Sequence, residues 1–179
     1  MKHHHHMLRH ERIITSLKKM YLPRTVKDRS GRKILIKIYQ PEDCANLLLM
    51  YHVFEPKGIA MGVPPLDEEV RIKWIDSILE SFFNILAIHE ERVIGHASFS
   101  LQPPSASPEY SIFLHQDYRR QGIGTHLTRT IRRICREMGC DRLWVAVPCH
   151  NVQAINFFKK LGFKFTGPID SERQMVYLF

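Results

Sequence analysis

Tyr118-Arg-Arg-Gln-Gly-Ile-Gly-Thr-His-Leu127 stands between two apolar segments of different period. Ahead of it, Tyr110 to Leu114 has the β-branched and aromatic content of a buried strand. Behind it, Ile123, Leu127, Ile131, Ile134 and Met138 are spaced four, four, three and four, the period of a helix. A strand, a glycine-bearing turn and a helix in this order leave main-chain N–H groups unpaired at the positive end of the helix dipole, where phosphate is held well. Gly122 and Gly124 would let the main chain approach that anion without a side chain in the way.

Two familiar phosphate-binding patterns do not fit. A dinucleotide fingerprint needs a third small residue where Leu127 stands and an acidic residue ending the next strand, which Asp141 instead opens. A P-loop needs Gly-Lys-Ser/Thr, and none follows Gly124. The remaining pattern is Arg/Gln-x-x-Gly-x-Gly/Ala over Arg119 to Gly124, and in this the chain resembles the GNAT acetyltransferase superfamily. Downstream, Asn151-Val-Gln-Ala154-Ile155-Asn-Phe-Phe158-Lys-Lys-Leu161-Gly162-Phe163 is similar to that superfamily's second acetyl-CoA motif, in the right order and at the expected distance.

At 179 residues the chain suits one domain with a sizeable core. Met1-Lys-His-His-His-His-Met7 reads as an expression tag and not as a metal site. No apolar run is long enough to span a bilayer and no secretory signal pattern is present, so the expected location is cytoplasmic. Cys44, Cys135, Cys140 and Cys149 lack framework spacing and form no Cys-x-x-Cys pair, so free thiols are expected and zinc is not. The net charge of +8 favours anionic partners: a phosphorylated cofactor, an acidic protein surface or a nucleic acid.

Helix and strand alternate along the chain, which predicts an α/β domain with a mixed sheet. Leu8 to Pro23 reads as a short amphipathic leader, with the domain over 24–179. A hairpin around Asp28-Arg-Ser-Gly31 precedes the strand Lys33–Tyr39, and Pro41 opens a helix whose apolar face is Leu47, Leu48, Met50, Tyr51 and Phe54. Glu55 to Pro65 is an apolar loop, and a second helix over Leu66–Phe82 is expected to turn Val70, Trp74, Ile78 and Ile75 inward. Strands follow at Asn84–His89 and Arg92–Ser100, then at Arg142–Val147, Phe163–Gly167 and Gln174–Phe179, with a helix over Asn151–Leu161. The resemblance implies a GNAT fold: a central, mixed, largely antiparallel twisted sheet of six to seven strands flanked by about four helices.

The resemblance also implies acetyl transfer from acetyl-CoA, the donor substrate, to a primary amine, with no metal. A lysine amine loses its proton at neutral pH only at a cost of roughly 4.6 kcal/mol, which a positioned base relieves. Glu109 is the candidate base, because Pro108-Glu109-Tyr110 is similar to the Ala-Glu-aromatic pattern of bacterial protein-lysine acetyltransferases. His96, His115 and His150 are lesser candidates, and Cys149 could carry the acetyl group in a two-step scheme. By the same resemblance, main-chain amides of Ile112, Phe113 and Leu114 would meet the oxyanion and the pantetheine arm, since this strand splays from its neighbour. Arg119, Arg120, Gln121, Gly122, Ile123, Gly124 and Thr125 would hold the pyrophosphate, Asn151 would reach the cofactor while capping its helix, and Phe158 would wall the channel. Many members carry a tyrosine at the Phe158 position, so the usual proton donor to the departing thiolate is missing.

Arg24-Thr-Val-x-x-Arg-Ser-Gly and Tyr39-x-Pro-Glu-Asp43 look like the entry to bacterial protein-lysine acetyltransferase domains, making a protein lysine or N-terminus the preferred acceptor. A small amine (polyamine, aminoglycoside or amino acid) is the alternative, and homodimerisation is open. Arg129, Arg132, Arg133 and Arg136 recur at helical spacing, as a solvated face or as a cationic stripe for a 3′-phosphate or an acidic partner. A nucleic-acid-binding or acetyl-CoA-sensing module is the non-enzyme alternative, and a nucleic acid would not account for the glycine turn and the second motif together.

Overall fold

Alternation along one strand divides the interior in two. In the strand Phe82–His89, Ile85 and Ala87 point into one apolar cluster and Leu86 and Ile88 into another, on the opposite face of the sheet. The computed structural model describes residues 22–58, 62–101, 107–168 and 172–179; residues 1–21, expected from the sequence to be a tag and most of a leader, lie outside the described residues. Five antiparallel strands lie side by side in chain order: β1 (Arg24–Lys27), β2 (Lys33–Ile38), β3 (Phe82–His89), β4 (Arg92–Ser100) and β5 (Tyr110–Leu114). A second antiparallel sheet has the order β6-β8-β7, from β6 (Arg142–Pro148), β7 (Lys164–Thr166) and β8 (Glu172–Leu178).

Four helices cover these sheets: α1 (Cys44–Val53), α2 (Glu68–Ser81), α3 (Ile123–Glu137) and α4 (Val152–Lys160). Helix α3 buries Ile123, Leu127, Ile131 and Ile134 against Ile85, Ala87 and Ala97, and this core continues into Leu143, Val145, Phe158, Phe163 and Met175 of the second sheet and α4. Helices α1 and α2 take the other face, where Leu47, Met50, Tyr51, Phe54 and Ile75 meet Leu86, Val93 and Phe113. None of the helices among the described residues is long and apolar enough to cross a membrane.

Most elements fall where the residue pattern puts them. The GNAT fold class stands: seven of the eight strands among the described residues are the expected ones, the eighth is β1, the first arm of the expected hairpin, and the sheet is divided between β5 and β6. Helix α2 differs in phase. Its buried stripe is Arg71, Ile75 and Ile78, whereas Val70 is 54 % exposed and Trp74 is only half-buried. Asp67 caps this helix by accepting from the Val70 amide at 2.9 Å, and the Arg71 guanidinium turns inward to donate to the carbonyls of Pro65 and Leu66. An apolar count alone assigns that inward place to a valine. The β3–β4 turn puts Glu90 and Glu91 in left-handed conformations, φ 48° and 65°, and Asn46 of α1 secures it by donating to the Glu91 carbonyl and accepting from the Val93 amide.

A polar chain crosses the α1/α2 face. Asn84 spends its Nδ2 hydrogens on the carbonyls of Phe82 (2.6 Å) and Ile78 (3.3 Å), so its Oδ1 accepts from His96 Nε2 at 2.9 Å. His96 Nδ1 is then the acceptor for the Tyr51 hydroxyl at 2.8 Å. The ring is 1 % exposed, and burial drives its pKa down to about 3. The imidazole is therefore neutral and structural. In the unfolded chain it titrates near 6.5, so the stability it contributes is complete above that pH and is lost as pH falls toward 3. Urea unfolding between pH 6.5 and 5 should show stability dropping by up to about 1.4 kcal/mol per pH unit from this group, with a further contribution from His126, whose pKa is also lowered by burial. His96→Gln should remove one proton from that slope; an unchanged slope would contradict the assignment.

Candidate active site

After β5 the chain makes one turn of 3-10 helix over Gln116–Tyr118, passes through Arg119, and enters left-handed conformations at Arg120 (φ 61°) and Gly122 (φ 85°) before α3 begins. The first main-chain bond into the helix is donated by His126 to the Gly122 carbonyl at 3.2 Å, so the amides of Gly122, Ile123, Gly124 and Thr125 precede the ladder. No side chain caps this end and no acidic residue stands in its first turn. Helix α2, by contrast, has Asp67 as cap with Glu68 and Glu69 behind it, and α4 has the Asn151 side chain on the Ala154 amide at 3.0 Å. Only α3 among these three presents a bare positive end.

The carbonyls of the turn are occupied. Arg29, in the β1–β2 hairpin, donates from its amide to the Gln121 carbonyl at 3.0 Å and from Nη1 to the Arg120 carbonyl at 3.2 Å, while Ser30 Oγ lies 2.8 Å from Gln121 Oε1. The acceptors therefore face the hairpin. Gly122 is required by its positive φ, and a Cβ there would have only Arg29 near it, at 3.9 Å. Gly124 is required for a different reason: a Cβ would stand 3.2 Å from the Phe157 ring and 3.7 Å from Ile112 Cδ1.

Between β5 and β6 the two sheets part. They touch through one parallel bridge, Glu109 with Trp144, where the Trp144 amide donates to the Pro108 carbonyl at 3.2 Å. On its other side β5 pairs regularly with β4, from Glu109, whose carbonyl accepts from Ser100 at 2.9 Å, to His115, whose amide donates to Ile94 at 2.9 Å. Main-chain groups alternate sides along an antiparallel strand, so Phe113, like Glu109 and His115, spends its amide on β4. Those of Ile112 and Leu114 point to the parted side. Of the three amides expected to be open, Phe113 is thus committed within the sheet, and its ring packs against Trp74, Tyr51 and Phe54.

Arg119 binds the protein itself. Its Nε donates to the Leu114 carbonyl at 3.0 Å, its Nη2 donates to the Glu55 carbonyl, and its guanidinium lies 5.1 Å from the centre of the Phe54 ring. Phe158 is 4 % exposed, in a ring cluster with Tyr110 and Phe163. Its neighbour Phe157, whose residue type suggests core packing, brings its ring against Gly124, which also lies close to Ile112 of β5. The signal that could have found it is the second glycine of the turn, one α3 residue that makes room for an aromatic side chain. Tyr110 links the two halves: its hydroxyl donates to Thr128 Oγ1 at 2.8 Å, which donates to the Gly124 carbonyl at 2.8 Å.

Glu109 lies at the opposite end of β5, about 16 Å of extended chain from Leu114. Alternation puts its side chain on the α1/α2 face with Ser111 and Phe113. It is half-buried, burial raises its carboxyl pKa, and its amide donates to Ser100 Oγ at 2.9 Å. Beside it Ser98 and Ser111 share a 2.8 Å hydroxyl bond, and His96 follows. His115 is occupied by the Asp117 amide at 3.2 Å, His150 is exposed beyond β6, and Cys149 is half-buried next to it. Among the described residues no group of three or more His, Cys, Asp or Glu side chains is arranged to hold a metal ion.

The described ends of the loop between Glu55 and Pro65 meet elements on the two sides of this parting. Its start is fastened by Gln116, which donates to the Val53 carbonyl at 2.9 Å and accepts from the Glu55 amide at 3.1 Å. Its far side touches β6, where a Cβ on Gly62 would stand 2.8 Å from the Ala146 carbonyl oxygen. The arginine stripe of α3 is not a uniform cationic face. Arg132 donates to the Leu161 carbonyl at 3.0 Å and to the Tyr177 hydroxyl, and Arg136 lies 5.8 Å from the centre of the Phe179 ring.

Comparison with known proteins agrees with this geometry. The family model described as acetyltransferase (GNAT) family matches residues 47–163. The L-methionine sulfoximine/L-methionine sulfone acetyltransferase of Pseudomonas paraeruginosa is 26 % identical over 109 residues, 58 % of this chain and 63 % of that protein, so the chain matches less than two thirds of that relative. The GNAT domain of S. lividans PAT superposes with a TM-score of 0.76 at 16 % identity, covering 87 % of this chain and 96 % of that one. The PaiA N-acetyltransferase of Thermoplasma acidophilum, solved in complex with coenzyme A, gives 0.66 at 18 % identity, covering 82 % and 99 %. With the strand, the glycine turn, the helix and the parted sheet all within or beside the matched segment, the chain belongs to the GNAT acetyltransferase family.

Proposed function

We propose that residues 24–179 form an acetyl-CoA-dependent N-acetyltransferase domain that passes the acetyl group directly to a primary amine in a ternary complex, the preferred acceptor being a protein lysine or N-terminus. The observation that carries this reading is the pairing, on one strand, of two features: an open amide edge leading to the bare start of α3, and a half-buried carboxylate at the other end. The amides of Gly122 to Thr125 hold the pyrophosphate, with Arg120 and Gln121 shaping the turn. Ile112 and Leu114 direct the pantetheine arm and the developing oxyanion, and preorganised donors of this kind are worth about 3 to 4 kcal/mol each. Phe157 lines that edge, and Asn151 fixes the start of α4.

Glu109 takes the proton from the incoming ammonium, leaving the nitrogen lone pair free to attack the thioester carbon. Burial makes its carboxylate a stronger base than an exposed one. Phe158 has no hydroxyl to protonate the departing thiolate, and a coenzyme A thiolate is a tolerable leaving group without one. The lysine preference rests on the likeness of the hairpin from Arg24 and of Pro108-Glu109-Tyr110 to bacterial protein-lysine acetyltransferases. A second reading, a small amino-acid acceptor, is favoured by the named substrate of the Pseudomonas relative.

With a lysine peptide and with free amino acids as acceptors in parallel, kcat/KM should favour the peptide; the reverse order selects the second reading. In the wild type, activity should rise with pH through the raised Glu109 pKa, since the ionised form is the base. Glu109→Gln should abolish that limb and lower kcat/KM by about 10²- to 10⁴-fold, and an unaltered limb would remove Glu109 from the reaction. Gly122→Ala and Gly139→Ala both put a side chain at positive φ in open space, and each should cost about 1–2 kcal/mol in urea unfolding. Only Gly122→Ala should weaken acetyl-CoA binding, by about tenfold or more on calorimetry; equal affinities would place the cofactor elsewhere.

A further inference from the structure

Arg71 of α2 is 5 % exposed, and none of the ion pairs among the described residues includes it. Taking a guanidinium out of water without a counter-ion is costly, so its remaining bonds must be accounted for. Both hydrogens of Nη1 are used, on the carbonyls of Pro65 at 3.1 Å and Leu66 at 2.9 Å. Nε and Nη2 have no acceptor among the described residues, yet neither is sealed from solvent, as the buried, unbonded Nε atoms of Arg24 and Arg173 are. The Nε/Nη2 edge is the side of a guanidinium that receives a carboxylate through two parallel N–H bonds.

Arg71 lines a groove of about 200 Å³ between α1 and α2 whose walls are otherwise mainly aliphatic: Ala45, Leu48, Leu49, Ile72 and Ile75. His52 and Glu68 complete the lining, 3.5 Å apart from each other. The groove holds about six or seven water volumes, the size of a short branched chain with a polar head. It lies between α1 and α2; the glycine turn belongs to α3, on the other face of the five-stranded sheet, and Glu109, though on the α1/α2 face, is not among the residues that line it, nor is any residue of β5.

We propose that this groove is a second binding site, separate from the acetyl-transfer cleft, that takes a small aliphatic carboxylate: the acid on the Nε/Nη2 edge of Arg71 and the hydrocarbon between Leu48, Leu49, Ile72 and Ile75. Glu68 is the one acidic wall residue, and its side chain is 64 % exposed, so solvent screens its repulsion of the ligand. The inference does not depend on which amine is acetylated.

Isothermal titration of the full chain with 4-methylpentanoate and with 4-methylpentanamide tests it. The acid should saturate with a Kd of about 1 mM or below and the amide should bind at least about tenfold more weakly. Arg71→Met should lose the preference for the acid. Should that variant fold poorly, Leu49→Asp alters a side chain that is 66 % exposed and sets a negative charge at the mouth, which should weaken the acid by about tenfold while leaving the amide alone. Glu68→Gln should tighten it. Equal binding of acid and amide, indifference of the acid to Leu49→Asp, or no saturation below about 10 mM would each overturn the proposal.

Discussion

The amides of Gly122 to Thr125 have no acceptor within their helix, and much of the surrounding structure keeps them that way. An acidic or hydroxylated N-cap would satisfy one of them, as Asp67 and Asn151 do elsewhere in the chain, but glycine has no side chain to offer. The hairpin of β1 and β2 takes the carbonyls of Arg120 and Gln121, so the turn exposes donors and hides acceptors. Behind it, Tyr118 is held by His89 at 2.9 Å and lies under the Arg32 guanidinium, which is itself paired with the buried Asp28. The Asp28 carboxyl is held below its ordinary pKa by bonds from Arg32 and Ser30 that outweigh its burial. A helix start with this polarity suits an anion, and the groups that hold the turn in shape come from the hairpin and from β3.

The parting of β5 from β6 is the second half of the same arrangement. An unpaired amide away from water costs about 1–3 kcal/mol, so a strand edge left open inside a fold needs support from elsewhere. Arg119 supplies part of it by taking the Leu114 carbonyl, and the bond of Trp144 to Pro108 closes the other end. Between them stand the amides of Ile112 and Leu114. The chain from Tyr110 through Thr128 to the Gly124 carbonyl fixes how far the first turn of α3 stands from that edge. A ligand reaching from the helix start along β5 therefore meets spacing already set.

Much of this was legible in the residues because it depends on local pattern. The period change around Tyr118–Leu127, the alternation of Ile34 and Ile36, and the stop at Gly162 follow from helix and strand geometry. What was not legible depends on partners distant in sequence. Val70 looks inward until the carbonyls of Pro65 and Leu66 claim Arg71. Phe158 and Phe157 are one residue apart and alike in type, and only the contact with Gly124 shows which one reaches the parted edge. The open amides of Ile112 and Leu114, as against the paired one of Phe113, follow from register with β4, which no single strand carries in its composition.

Arg119 has a consequence for how the two halves of the site communicate. It belongs by sequence to the glycine turn, yet its bonds go to the end of β5 and to the Glu55 carbonyl, where the loop toward Pro65 begins. Gln116 holds the same point through Val53 and Glu55. The far side of that loop lies against β6, with no room for a side chain at Gly62. A shift of the turn on taking up an anion would thus be transmitted to the loop through two short side-chain links, and a shift of the loop back to the turn. Linkage is reciprocal, so any influence of a filled turn on the loop is matched by an equal influence of the loop on the turn. The start of α3 and the start of the loop are in this way fastened to the same end of β5.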